Sequence, residues 1–209
     1  EEESITLNWI AHCMIQGSND NELDVRKSAL QICRILVEYS ATGSDVNKPE
    51  NIELAKELYS YVSDLSPPIT TFSFDENIII PSVADVHIMF CRALPIISRL
   101  VEDKESDIRS YVGTYCGEFC MLMGGKWSMI LLDVIFTCCR DIVTEVRMSG
   151  LLSVPHAVVA FLEDAILVSR QRQADSSIFQ PLVSLITAVC SMYKDISIQV
   201  KQTLCQILS

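Results

Sequence analysis

Cys116 and Cys120 stand four residues apart, a spacing that places two thiols on one face of a helix and could begin a metal site. No His or Cys pair at zinc-ligand spacing accompanies them, so they read as core packing. Gly124-Gly125-Lys126 is the nearest approach to a phosphate-cradling loop, but it lacks the Walker spacing and reads as a left-handed helix terminator. The three histidines, His12, His87 and His156, each lie in apolar helical sequence. A dyad of His12 or His156 with a cysteine would need a thiol of depressed pKa, and no motif marks one. Trp9 and Trp127 read as packing residues at hairpin starts. The expectation is a chain without catalytic residues, cofactor or metal.

Of 209 residues 49% are apolar, enough for a substantial core. Sixteen basic against 27 acidic residues give a net charge of −11, which repels phosphate backbones, so nucleic acid is not an expected partner. The nine cysteines sit inside apolar stretches, their number is odd, and no Asn begins a glycosylation sequon. This usage points to a reducing compartment, cytoplasmic or nuclear. The start at Glu1 does not resemble a signal peptide, and a fragment of a longer protein is expected. The apolar run Trp127 to Cys139 is interrupted by Asp133 and is shorter than the roughly 20 residues a membrane span needs.

Apolar residues recur at helical spacing nearly throughout, with no sustained strand-like alternation, so the chain is expected to be all-α. Four segments share an opening: Asp24-Val25-Arg26, Asp107-Ile108-Arg109, Glu145-Val146-Arg147 and, in weaker form, Gln199-Val200-Lys201. The first two continue alike, with Val25, Ala29, Ile32 and Leu36 matching Ile108, Val112, Tyr115 and Phe119. The last begins the same series with Val200, Leu204 and Ile207. The third places Gly150, Ser153 and Ala157 there, small residues that let a neighbouring helix approach closely. Each copy follows another apolar helix (Ile5 to Gln16, Ala93 to Glu102, Trp127 to Arg140, Ile178 to Tyr193), so the repeating unit is a helical hairpin.

Arg26 to Arg109 spans 83 residues, Arg109 to Arg147 38, and Arg147 to Lys201 54, which suits a period near 40 with insertions. The first gap accommodates a degenerate repeat that starts with a helix over Asn51 to Leu65. Ser66-Pro67-Pro68 breaks that helix, and residues 66–81 read as a loop insertion. A second linker is expected over 163–177.

The segment Leu94 to Met123, LPIISRLVEDKESDIRSYVGTYCGEFCMLM, resembles a HEAT repeat: a Leu-Pro-led helix, an acidic turn, an Asp-x-Arg entry and a second apolar helix. Its wording, and that of the next repeat through Phe161, is similar to the scaffold (A) subunit of the type 2A serine/threonine protein phosphatases and related regulatory subunits. The resemblance implies a right-handed α-solenoid of about five hairpins, one of them degenerate, filling residues 1–209. It further implies that the turns bind other proteins, a phosphatase catalytic subunit among them. Karyopherins, adaptins and chromosome-organising subunits share this architecture and form the alternative. The fourth copy departs from the pattern in lacking the Asp and Arg of the triplet.

Apart from the resemblance, one hairpin cannot bury its own apolar face and must stack on its neighbours. The repeat anchors Asp24, Arg26, Asp107, Arg109, Glu145 and Arg147 are expected to hold that stack through a ladder of ion pairs between neighbouring repeats. Asp24 and Asp107 are also expected to cap the helices they precede. The turns run from Asp20 to Asp24, Asp103 to Asp107, Asp141 to Glu145 and Lys194 to Gln199. Their acidic residues Glu22, Asp103, Glu105, Asp141 and Glu145 are the candidate protein-binding positions, an acidic strip suited to a basic partner.

Overall fold

The computed structural model describes residues 10, 12–41, 94, 96–123, 128–171 and 180–208. Among these, every regular element is helical. The expected loop at 66–81 and the degenerate repeat lie outside the described residues. The expected linker at 163–177 is helical as far as Gln171, its remainder also lying outside. The chain divides into two compact units, Glu1–Ile96 and Ile97–Ser209.

In the first unit, α1 (12–18) leads through a short turn to α2 (Leu23–Ala41). Ala29, Ile32, Cys33 and Leu36 follow the three-and-four spacing of a single helix face and are all buried. The Cys33 thiol meets the Met14 sulfur at 3.8 Å, joining the faces of the two helices.

The second unit contains three helix pairs among the described residues: α3 (96–100), all but its first residue in this unit, with α4 (Ser106–Met123), α5 (Ser128–Cys139) with α6 (Thr144–Gln171), and α7 (Gln180–Ser191) with α8 (Ile198–Leu208). A single 3₁₀ turn, Met192–Lys194, extends α7 toward its partner. The second helices contact one another in series, α4 on α6 and α6 on α8, while α5 packs against α7. The shared apolar face expected from the repeat is the buried one: Ile108, Val112, Tyr115 and Phe119 in α4, Ala157 beside Ser153 in α6, Val200 and Leu204 in α8.

The α4–α6 interface is the most extensive in this unit, and small residues make it possible. A Cβ on Gly113 would strike the Ser149 hydroxyl, and one on Gly117 would lie 2.8 Å from the Ser153 Cα, well inside contact distance. With the backbones this close, the Ser153 hydroxyl donates across the interface to the Gly113 carbonyl at 2.6 Å. Gly150 serves the same purpose inside the hairpin, its Cα facing Cys138 and Cys139 of α5 so tightly that a Cβ would sit 2.9 Å from the Cys139 nitrogen. The third repeat replaces bulk by proximity, which compensates in dispersion contacts for the volume it lacks.

α6 runs for 28 residues and continues through Pro155, whose missing N–H leaves the preceding turn one hydrogen bond short. Its segment Thr144–Glu163 is long and apolar enough to cross a membrane by length and hydropathy, but 56% of it is buried inside the protein. With Arg147 near its start and α4, α5 and α8 around it, this is a core helix of the hairpin stack.

Gly117→Ala separates helix propensity from close approach. Alanine favours helix by about 1 kcal/mol over glycine, yet overpacking against an immobile backbone costs about 1–3 kcal/mol. The expected net result is a lower urea midpoint, and a stability equal to or above the parent would show that α4 and α6 can part without loss.

Candidate interaction edge at the interhelical turns

The turns joining first to second helices repeat one hydrogen-bonded module built around an aspartate and a cation six residues later. Asp20, Asp103, Asp141 and Asp195 each donate their backbone N–H to the carbonyl three residues earlier. Each then accepts, through Oδ1, the N–H two residues later, from Glu22, Glu105, Val143 and Ser197, at 2.8–2.9 Å. The cation position, Arg26, Arg109, Arg147 or Lys201, closes the first helical turn with a backbone bond to that same second residue. The three arginines reach back, Nη1 donating to the carbonyl of the aspartate and of the residue after it. These carbonyls point out of the turn with no helical donor of their own, so the guanidinium supplies what the local backbone cannot.

The rest of the guanidinium links neighbouring repeats. Arg109 grips Asp141 with Nε to Oδ2 at 2.6 Å and Nη2 to Oδ1 at 3.0 Å. Arg147 holds Asp195 in the same fork, at 2.7 and 3.1 Å. All four side chains are about nine-tenths buried, and the two parallel bonds match the planar fork that only arginine presents. Desolvation works to raise both carboxyls. For Asp141 the hydrogen bonds from Arg109 and the Val143 N–H, with the charges of Arg109 and Arg147, outweigh it and hold the group below its ordinary 3.8. For Asp195 the Ser197 N–H, Arg147 and the charge of Lys201 do the same.

The ladder of ion pairs therefore exists, with its carboxylate six residues before the cation and not two. Asp24, Asp107 and Glu145 instead lie exposed in the first helical turn, because the helices begin at Leu23, Ser106 and Thr144, one residue ahead of them. They cannot be N-caps there, and act as negative charges near the positive helix end. The fourth copy, which lacks the triplet's Asp and Arg, has its ladder carboxylate in Asp195.

Among the candidate binding residues, Asp103, Glu105, Asp141 and Glu145 all come to the turn edge of the second unit, and Glu22 has the same place in the first. Glu22, Glu105 and Glu145 are exposed, and Asp103 is half-buried, its carboxylate turned to the Glu105 N–H. Asp141 is committed to Arg109 inside the fold. Sequence reasoning overlooked the residue that follows the ladder aspartate. At consecutive turns it is Ile142 and Ile196, exposed to 91% and 98%. Aligning the four turns on Asp20, Asp103, Asp141 and Asp195, instead of on the later triplets, puts these two isoleucines in one register.

Burial pushes the thiols of Cys33, Cys120, Cys138 and Cys139 up to about 12, and raises that of Cys116 as well. This is the reverse of what a nucleophilic or metal-binding thiolate requires. His12 and His156 are exposed, while His87, Cys91, Trp9, Trp127 and Gly124-Gly125-Lys126 lie outside the described residues.

The ladder predicts a specific acid response. Asp141→Asn keeps an oxygen for the Val143 N–H but loses the charge, and is expected to cost about 2 kcal/mol at pH 7. Because the folded carboxyl titrates below its unfolded value, its contribution is complete above about pH 5 and disappears as pH falls through the folded pKa. Urea midpoints of wild type and variant should therefore converge toward pH 2. A gap of unchanged size at pH 2 would mean that packing, and not charge, holds the two turns together. Compared with protein-family models, curated proteins and solved structures, the chain has no match in any of the three.

Proposed function

We propose that the chain is a segment of a HEAT-type α-solenoid that acts as a non-catalytic scaffold, docking a partner protein on its turn edge. The carrying observation is the pair Ile142 and Ile196, almost fully exposed on consecutive turns whose backbones the Arg109–Asp141 and Arg147–Asp195 forks hold in place. Apolar side chains fixed in this way lose little entropy on binding and suit the role of anchors. Glu105 and Glu145 supply an acidic rim that favours a partner with basic residues around an apolar pocket. The resemblance of Leu94 to Met123 to phosphatase scaffold repeats supports a serine/threonine phosphatase catalytic subunit as that partner. Holding enzyme and substrate near one another, at raised effective concentration, is then the mechanism.

One observation favours the alternative of a karyopherin- or adaptin-like module. The second helices expose Met121 and Leu122 on α4, and Leu152, Val159 and Leu162 on α6, a surface suited to an extended peptide.

Affinity purification with quantitative mass spectrometry distinguishes these surfaces. Ile142→Ser with Ile196→Ser is expected to remove the principal partner by about tenfold, as loss of a hot spot would. Glu105→Lys with Glu145→Lys should weaken it, and Leu152→Ser with Val159→Ser should leave it in place. Loss of a phosphatase catalytic subunit in the first two variants supports the whole reading. Loss of partners only in the third transfers the site to the second helices and ends the turn-edge assignment.

A further inference from the structure

The turns carry a second pattern besides their isoleucines. The residue before the ladder aspartate is Asn19, Glu102, Arg140 and Lys194 in turn, and the residue after it is Asn21, Lys104, Ile142 and Ile196. Among these four turns, only the last two combine a cation before the aspartate with an isoleucine after it. Arg140 and Lys194 are both exposed, and among the described residues neither pairs with a carboxylate. Each lies instead against an aromatic ring just before it in the chain. The Arg140 guanidinium carbon stands 4.0 Å from the centre of the Phe136 ring, and Lys194 Nζ 5.3 Å from that of Tyr193.

A cation at the end of a first helix complements the negative helix terminus, which accounts for its position. It does not account for an isoleucine two residues on with 91% or 98% exposure. Contact with a ring steadies the cation and leaves its donors uncommitted, so little order is lost when a carboxylate arrives. The chain carries a net charge of −11, and a carboxylate is drawn to such a surface only where cations are local and unpaired. The Arg147–Asp195 fork ties the two turns together. Neighbouring packed helices lie about 8–10 Å apart, a distance covered by about three residues of extended chain.

We infer that Arg140, Ile142, Lys194 and Ile196 form a site for a linear segment of the partner protein in which carboxylates flank two bulky apolar side chains. The apolar side chains, about three residues apart, cover the isoleucines, and the carboxylates take the two cations through charge-assisted hydrogen bonds. This rests on the turn-edge reading and adds the chemistry and side of approach. Acidic residues of the partner come to the first-helix side, and its basic residues to the second-helix side, where Glu105 and Glu145 stand.

Selecting a random library of displayed peptides on the full chain, with the survivors' affinities measured by fluorescence anisotropy, tests the site. The expected survivors combine two bulky apolar residues with aspartates or glutamates. They should lose at least about tenfold in affinity in Arg140→Gln with Lys194→Gln, and again in Ile142→Ser with Ile196→Ser. Arg140→Glu with Lys194→Glu should turn the selection toward lysine and arginine, while Lys104→Gln, at the exposed cation of the preceding turn, should leave the affinities unchanged. All these side chains are exposed, so the fold is expected to survive each change. A selection without an acidic consensus overturns the assignment, as do acidic peptides indifferent to Arg140 and Lys194 or weakened equally by Lys104→Gln. Survivors that need Ile142 and Ile196 but carry no carboxylate overturn it while leaving turn-edge docking in place. Acidic survivors indifferent to both pairs overturn it together with that docking.

Discussion

One guanidinium, placed at the start of α4 and again at the start of α6, does two things that the hairpin stack cannot do without. Through Nη1 it satisfies the outward carbonyls of its own turn, and through Nε and Nη2 it takes the aspartate of the next. The turn therefore cannot relax without disturbing its neighbour, nor can two hairpins slide without breaking a nearly buried fork. Hydrophobic contact alone is indifferent to a small shift of one helix over another, whereas a pair of parallel hydrogen bonds is not. The ladder sets the register in which the apolar faces meet.

Within that register the second helices choose how close to come. Between α4 and α6, Gly113 and Gly117 face Ser149 and Ser153, and the interface is made by backbone proximity and one hydroxyl donated across it. At the equivalent positions, α6 itself carries Leu151 and Pro155, larger residues than the two glycines of α4. The same ladder thus joins neighbours whose facing residues differ in size, which is how a stack can hold its order while its repeats differ.

The helical periodicity and the four cation positions were plain in the sequence, because each is a local signal carried within one or two turns of helix. The all-α class, the starts of the second helices and the close approach at Gly150 and Ser153 follow from them. The carboxylate of the ladder was harder to read. Its partner lies 32 or 48 residues away, and the nearer acidic residues Asp24, Asp107 and Glu145 stand in a more conspicuous triplet. Alignment on the triplet made the fourth repeat look deficient, although Asp195 stands there at the same distance from Lys201 as Asp141 from Arg147. The exposed isoleucines escaped for a different reason: Ile142 and Ile196 sit in sequence contexts where an apolar residue is ordinarily inside, and only the turn geometry turns them outward.

Both forks among the described residues point the same way, from the cation of one repeat to the carboxylate of the next. The stack of the second unit therefore has a direction, like a strand with a head and a tail. At each of these two junctions the earlier repeat supplies the cation and the later one the carboxylate. Pieces built on this rule can be joined in series but not turned around, so the order of repeats along such a protein is enforced by chemistry at each junction as well as by the covalent chain.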